Sequence, residues 1–189
     1  VKVGVVALQG AFREHRECFE ALGATAVEVR RPEHLTGVDL VALPGGESTT
    51  ITKLLDASGL REPLRDLLGT GTPALCTCAG LIVVAAEVRD GRPDQVPLGV
   101  LEVRVRRNAY GRQRESFEAP LRIEGLGGDP FPGVFIRAPV IEDVGATVTV
   151  LARHRSAPVL VRQGRLFAAT FHPELADDLR VHQLVLQEV

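Results

Sequence analysis

No stretch of this chain approaches the roughly 20 consecutive apolar residues that a membrane-spanning helix requires. The N-terminal VKVGVVALQG is a short strand-like run without the layout of a cleavable signal. Charge of one sign is never concentrated: 22 basic and 24 acidic residues are interspersed to a net charge of −2, which leaves no electrostatic footprint for nucleic acid or an anionic membrane. Cysteine is scarce and odd in number, three in 189 residues, which excludes a disulfide framework and fits a reducing compartment while leaving thiol chemistry open. Methionine is absent, position 1 included, so one or more residues are expected to precede Val1. Lysine is reduced to Lys2 and Lys53, from which nothing about function follows. The expectation is a soluble, cytoplasmic protein that handles neither nucleic acid nor membrane.

With 45% apolar content, 189 residues suffice for one substantial core and not comfortably for two, so residues 1–189 are read as a single domain. VKVGVVAL is a near-continuous apolar run of the kind found in strands covered on both faces. GAFREHRECFEALG follows with Phe12, Arg16, Phe19 and Leu22 at helical spacing, and Gly23 is placed to close the helix as a left-handed cap. The alternation continues: TAVEV as strand, VDLVALP as strand, GGESTTITKLLDAS entering a helix, a helix near residues 60–68, PALCT as strand and AGLIVVAAE as helix. This pattern predicts an α/β fold with a doubly wound, mostly parallel sheet. From about residue 98 shorter β-like segments, LGVLEVRVR, SFEAPLRI, GVFIRAP, TVTVLARH, APVLVRQ and LFAATFH, predict an antiparallel extension and the last strands of the sheet. DDLRVHQLVLQEV is the expected terminal helix.

In open α/β sheets ligands bind beyond the carboxyl ends of the strands, which directs attention to PGGES at 44–48, CTCAG at 76–80 and FHPEL at 171–175. Cys78 fits the apex of a strand-turn-helix nucleophile elbow with Gly80 two residues on, at a helix N-terminus whose unpaired N–H groups favour a thiolate. Cys76 belongs to the strand and reads as a small buried side chain. His172 and Glu174, one residue apart in what is expected to be an extended segment, would point to the same side. Glu174 would hold one imidazole nitrogen while the other faces the thiol. PGGEST offers close backbone approach, and the N–H groups of Gly46 and Ala79 are the candidate oxyanion donors. A tight turn with Ser48 or Thr49 capping a helix explains that motif equally well. Cys76, Cys78 and His172 make a poor metal set, because the spacing is Cys-x-Cys and no fourth ligand is evident.

PGGEST, TCAG and FHPE, in this order along an α/β chain, resemble the class I, triad-type glutamine amidotransferases. LQGAFREH, PGGESTTI, RNAYGRQRESFEA, GVFIRAP and FHPELADD closely resemble, within that class, the glutaminase subunits of pyridoxal 5'-phosphate synthases, and the resemblance spans essentially the whole chain. It implies a flavodoxin-like fold and hydrolysis of L-glutamine to glutamate and ammonia. Cys78 would attack the side-chain amide, His172 would protonate the leaving ammonia, and a γ-glutamyl thioester would then be hydrolysed. It further implies glutamine contacts at Gly46, Glu47, Ser48, Arg107, Ile136 and Arg137, no cofactor and no metal. The implied partner is a (β/α)8-barrel synthase subunit in a large hetero-oligomer, which uses the ammonia to build pyridoxal 5'-phosphate (vitamin B6). The family usually has glycine where this chain has Cys76. A glutaminase serving another synthase, such as that of imidazole glycerol phosphate, is disfavoured by RNAYGRQ and GVFIRAP. A non-hydrolytic binding module is disfavoured by the intact Cys78, His172 and Glu174.

Overall fold

The computed structural model describes residues 1–107 and 116–189, so that most of the RNAYGRQ motif lies outside the described residues. The chain runs β1 (Lys2–Val6), α1 (Phe12–Ala21), β2 (Thr25–Val29), β3 (Leu40–Leu43), α2 (Ser48–Ala57), α3 (Arg61–Gly69), β4 (Ala74–Thr77) and α4 (Ala79–Val84). It continues through β5 (Ala85–Arg89), β6 (Leu101–Arg106), β7 (Ser116–Leu121), β8 (Phe131–Ile136), β9 (Val140–Val144), β10 (Thr149–His154), β11 (Ala157–Gln163), β12 (Leu166–Ala169) and α5 (Arg180–Leu186). Seven strands form the main sheet in the order β10-β11-β12-β4-β3-β1-β2. The five from β12 to β2 are parallel, and β10 and β11 extend them antiparallel.

Strand alternation divides the core between two faces. Val41, Leu43, Cys76 and Ala168 pack with Ile51 and Leu55 of α2 and Leu64 and Leu68 of α3. Leu40, Ala42, Leu75 and Phe167 pack with Phe19 of α1, Val181 and Val185 of α5, and Phe131 and Phe135 of β8. Both faces of the sheet are therefore buried, which is why its parallel strands read as unbroken apolar runs. Helix α1 ends as expected: Gly23 has φ +83°, its N–H donates to Glu20 O, and the N–H of Ala24 donates to Phe19 O at 3.1 Å.

One predicted helix is shorter than its sequence suggests. AGLIVVAAE is helical only to Val84, because the carbonyls of Val83 and Val84 accept from the N–H groups of Leu98 and Val100 at 2.7 and 3.1 Å. Ala85 then turns extended and pairs with Leu101 in a small sheet of β5, β6 and β9. A second pair, β7 and β8, packs its phenylalanines onto the α1–α5 face.

Candidate functional site

Four neighbouring parallel strands, β1, β3, β4 and β12, deliver the loops at their carboxyl ends to one place. These loops carry Gln9, Gly45–Ser48, Cys78 and His172–Glu174.

Cys78 follows β4 directly, at φ +47° and ψ −102°, and its N–H donates to Ala169 O at 2.8 Å. A residue with a β-carbon is strained in that conformation, and the surroundings hold it there. Its Sγ lies 3.8 Å from the carbonyl oxygen of Ile136. Gly80 lets α4 start against β3, where a β-carbon would stand 2.1 Å from Leu43 O. Gly45 is equally constrained: a β-carbon there would meet His172 Cε1 at 2.4 Å and Cys78 Cβ at 3.3 Å. Cys76 faces the α2–α3 core and is fully buried, which pushes its thiol up to about 12. It is no companion ligand to Cys78 and His172, and all three cysteines are free. Among the described residues no group of three or more His, Cys, Asp or Glu is arranged to hold a metal ion.

His172 and Glu174 meet as the sequence suggested, His172 Nδ1 to Glu174 Oε1 at 2.7 Å, but not by strand alternation. β12 stops at Ala169, and Pro173–Leu175 form a 3-10 turn whose first residue is a proline. Proline's fixed φ suits that position, and the turn carries the carboxylate back under the imidazole. Burial works against charge on His172, yet the Cys78 thiol and the Glu174 carboxylate beside it raise its pKa to about 10. Burial works against ionised Glu174 as well, but His15 and His172 together outweigh it and hold the carboxyl well below its usual range.

Gly46, Glu47, Ser48, Cys78, Ala79, Arg107, Ile136, Arg137 and His172 line a single cavity of about 410 Å³, with Glu174 behind His172. The helix cap is neither Ser48 nor Thr49. Glu47 caps α2, accepting from the N–H groups of Thr49 and Thr50 at 3.1 and 2.7 Å. It also accepts from Arg107 Nη2 at 2.9 Å. Against a burial effect that would raise it, these partners lower the Glu47 carboxyl to about 2. Arg107 Nη1 in turn donates to Thr49 Oγ1 at 3.0 Å and to Gln95 Oε1 at 2.7 Å. Ser48 Oγ, buried at the cavity wall, has no hydrogen-bond partner among the described residues.

Sequence reading missed several contributors. Gln9 lines the cavity and accepts the Glu47 N–H through Oε1 at 2.7 Å; its position just after β1 was the available signal. Thr77 Oγ1 accepts the Gly45 N–H at 3.1 Å, while Gly45 O accepts from Ala11 N at 3.0 Å, so the glycine turn is tied on both sides. Gln95 steadies Arg107, and His15 stands behind Glu174; neither carries a local signature.

The arrangement offers a thiol, an imidazolium, a buried carboxylate and a polar cavity, the components of acyl transfer through a thioester. Residues 5–189 match the model of the SNO glutamine amidotransferase family. The chain belongs to the SNO glutamine amidotransferase family. Among its relatives in that family, the pyridoxal 5'-phosphate synthase subunit PdxT of Thermus thermophilus is 54% identical over 186 residues, covering 98% of this chain and 96% of the relative. The protein of the same name from Streptomyces avermitilis is 52% identical over 187 residues, covering 99% and 93%. A crystal structure described as a glutamine amidotransferase superimposes with a TM-score of 0.92 at 52% identity, covering 98% of this chain and 97% of the other. As a member of this amidotransferase family, the chain is a glutaminase that releases ammonia from glutamine.

Proposed function

We propose that residues 1–189 act as one glutamine amidotransferase domain that hydrolyses L-glutamine in the cytoplasm and passes the ammonia to a (β/α)8-barrel synthase subunit for pyridoxal 5'-phosphate synthesis. The observation that carries this reading is the 2.7 Å bond between His172 and Glu174 at the edge of a cavity that also presents Cys78. Cys78 Sγ, its proton already passed to His172, attacks the amide carbon, and Gly46 and Ala79 N–H groups receive the developing oxyanion. His172, an imidazolium at neutral pH, gives its proton to the departing nitrogen, so that ammonia leaves rather than an amide anion. Neutral His172 then takes a proton from water, which attacks the thioester and releases glutamate. Glu174 stays ionised throughout and holds the ring in orientation. Ser48, Ile136 and the Arg107–Glu47 pair bound the substrate, with Arg137 at the rim. Glu47 is already neutralised by the α2 N-terminus and Arg107, so its carboxylate contributes to the substrate ammonium as part of that pair rather than as a lone charge.

Delivery to a partner is supported by the relatives, which are named as synthase subunits, and by chemistry, since ammonia released into neutral water is mostly protonated and no longer nucleophilic. The test is glutamate release from glutamine by the purified protein with and without the synthase subunit, beside Cys78→Ala. Release stimulated by the synthase and lost in the variant supports the reading. No release with a synthase that works on added ammonia overturns it in favour of a silent binding module, and equal release with and without synthase removes the coupling.

A further inference from the structure

Behind the triad lies a row of buried polar side chains that hydrolysis as described does not use. His15 of α1 and His182 of α5 are both fully buried, with His15 Nδ1 3.0 Å from His182 Nε2. On its other side His15 Nε2 lies 3.0 Å from Thr77 Oγ1 and 3.2 Å from Glu174 Oε2. A buried polar row of this kind is costly, more so because Glu174 Oε2 and His182 Nδ1 have no hydrogen-bond partner among the described residues, and its contacts lead to both halves of the site. Glu174 Oε1 holds His172, and Thr77 Oγ1 holds the Gly45 N–H at the start of the Gly45–Gly46 turn.

Proton placement follows from the neighbours. A proton on His15 Nε2 gives Thr77 Oγ1 a donor at 3.0 Å and sets a partial positive charge 3.2 Å from the Glu174 carboxylate oxygen, so this is the arrangement the neighbours favour. If the ring is neutral, Nδ1 is an acceptor and His182 Nε2 must donate to it. Burial, followed by the His15 charge, lowers His182 to about 3, so His182 is a neutral ring able to take that tautomer.

We propose that His15 is a positioning residue for the hydrolytic site: its Nε2 is hydrogen-bonded to Thr77 Oγ1 and stands 3.2 Å from the otherwise unpartnered Glu174 Oε2, so that one imidazole braces the carboxylate behind His172 and the glycine turn together. Thr77 is the residue before Cys78 and ends β4, Gly45 follows β3 and Glu174 follows β12; His15 reaches Thr77 and Glu174 from beneath, and Thr77 in turn holds Gly45. This inference rests on the glutaminase reading for its kinetic consequence but not for its geometry.

The test compares His15→Leu, which removes the donor, with His15→Gln, whose amide N–H₂ reaches about as far as Nε2. Both are measured in the complex with the synthase for kcat and KM, and by the rate of Cys78 alkylation with iodoacetamide, with thermal melting to establish folding. We expect His15→Leu to lower kcat by about tenfold to a hundredfold with KM changed by less than about threefold, and to slow alkylation, while His15→Gln recovers most of both. A folded His15→Leu with wild-type kcat and alkylation overturns the proposal, as does a His15→Gln variant no better than His15→Leu. Should His15→Leu fail to fold, His15→Gln is compared with His15→Asn, whose amide reaches only toward Nδ1; equal kcat in those two overturns it. If the wild-type protein released no glutamate, the glutaminase reading would fall, while the alkylation rates would still decide the role of His15.

Discussion

The carbonyl oxygen of Leu43 occupies the space beside Gly80 so closely that a β-carbon on Gly80 would stand 2.1 Å from it. The obstacle is backbone in the centre of the sheet and cannot move aside. Gly80→Ala is therefore expected to destabilise the protein by about 3 kcal/mol or more. Gly45→Ala meets a side chain, His172, and is expected to cost about 1 kcal/mol of stability while lowering kcat by about a hundredfold through a displaced imidazole. Urea unfolding and glutamate release separate the two effects.

Cys78 holds a backbone conformation suited to glycine, at φ +47° and ψ −102°. Replacing Cys78 with alanine keeps that strain, whereas glycine relieves it. Both variants are expected to lose glutamate release, and Cys78→Gly is expected to be more stable than Cys78→Ala by about 1 kcal/mol, the reverse of the usual order. Urea midpoints check this.

The three thiols are expected to react very differently. Burial pushes Cys76 up to about 12, and burial with the neighbouring Glu174, Glu17 and Glu14 pushes Cys18 up to about 11. Brief iodoacetamide treatment at neutral pH is expected to modify Cys78 alone, read by mass spectrometry. Rapid modification of Cys76 would contradict its place in the core.

His172 is raised from its ordinary 6.5 to about 10, so its proton is held below that pH and lost as pH rises through it. Glutamate release is expected to decline on an alkaline limb near pH 10. Because Glu174 supplies part of the rise, Glu174→Gln is expected to move that limb toward lower pH and to reduce kcat. A pH–rate profile of both proteins is the measurement.

Glu47 is lowered from 4.5 to about 2, so its capping contribution is complete above its ordinary value and is lost as pH falls through about 2. Glu47→Gln is expected to cost about 1 kcal/mol at pH 7, with the gap to wild type closing between pH 4.5 and 2. Paired urea titrations across that range check the trend.

Much of the geometry around Cys78 was legible because its parts are local. The apolar runs announced the strands, and the small residues around Cys78 announced the turn. His172 and Glu174 were paired correctly for a reason that fails, since Pro173 sets a 3-10 turn where an extended strand was expected. AGLIVVAAE carries no breaker, and its helix ends at Val84 where distant residues Leu98 and Val100 take the carbonyls of Val83 and Val84 and Ala85 pairs with Leu101. The cap on α2 is Glu47, the residue just before the helix, and Arg107, 60 residues away, donates to the same carboxylate. His15 was invisible as more than a helix residue, its partners Thr77 and His182 lying 62 and 167 residues along the chain.

The place of β12 in the sheet bears on how the protein is made. This strand is the last of the twelve described in chain order, yet it sits between β11 and β4, with Leu166 opposite Ala74. During synthesis the N-terminal strands emerge first, and β4 remains an open edge with Cys78 beside it until residues 166–169 leave the ribosome. Such a long-range pairing is slow to form, and an open edge invites wrong partners meanwhile. The same insertion brings His172 and Glu174 to the thiol. The last central strand thus closes the edge and brings His172 and Glu174 beside Cys78 in one event, and under the proposed mechanism a nascent or truncated chain lacking it would carry the cysteine without its imidazole.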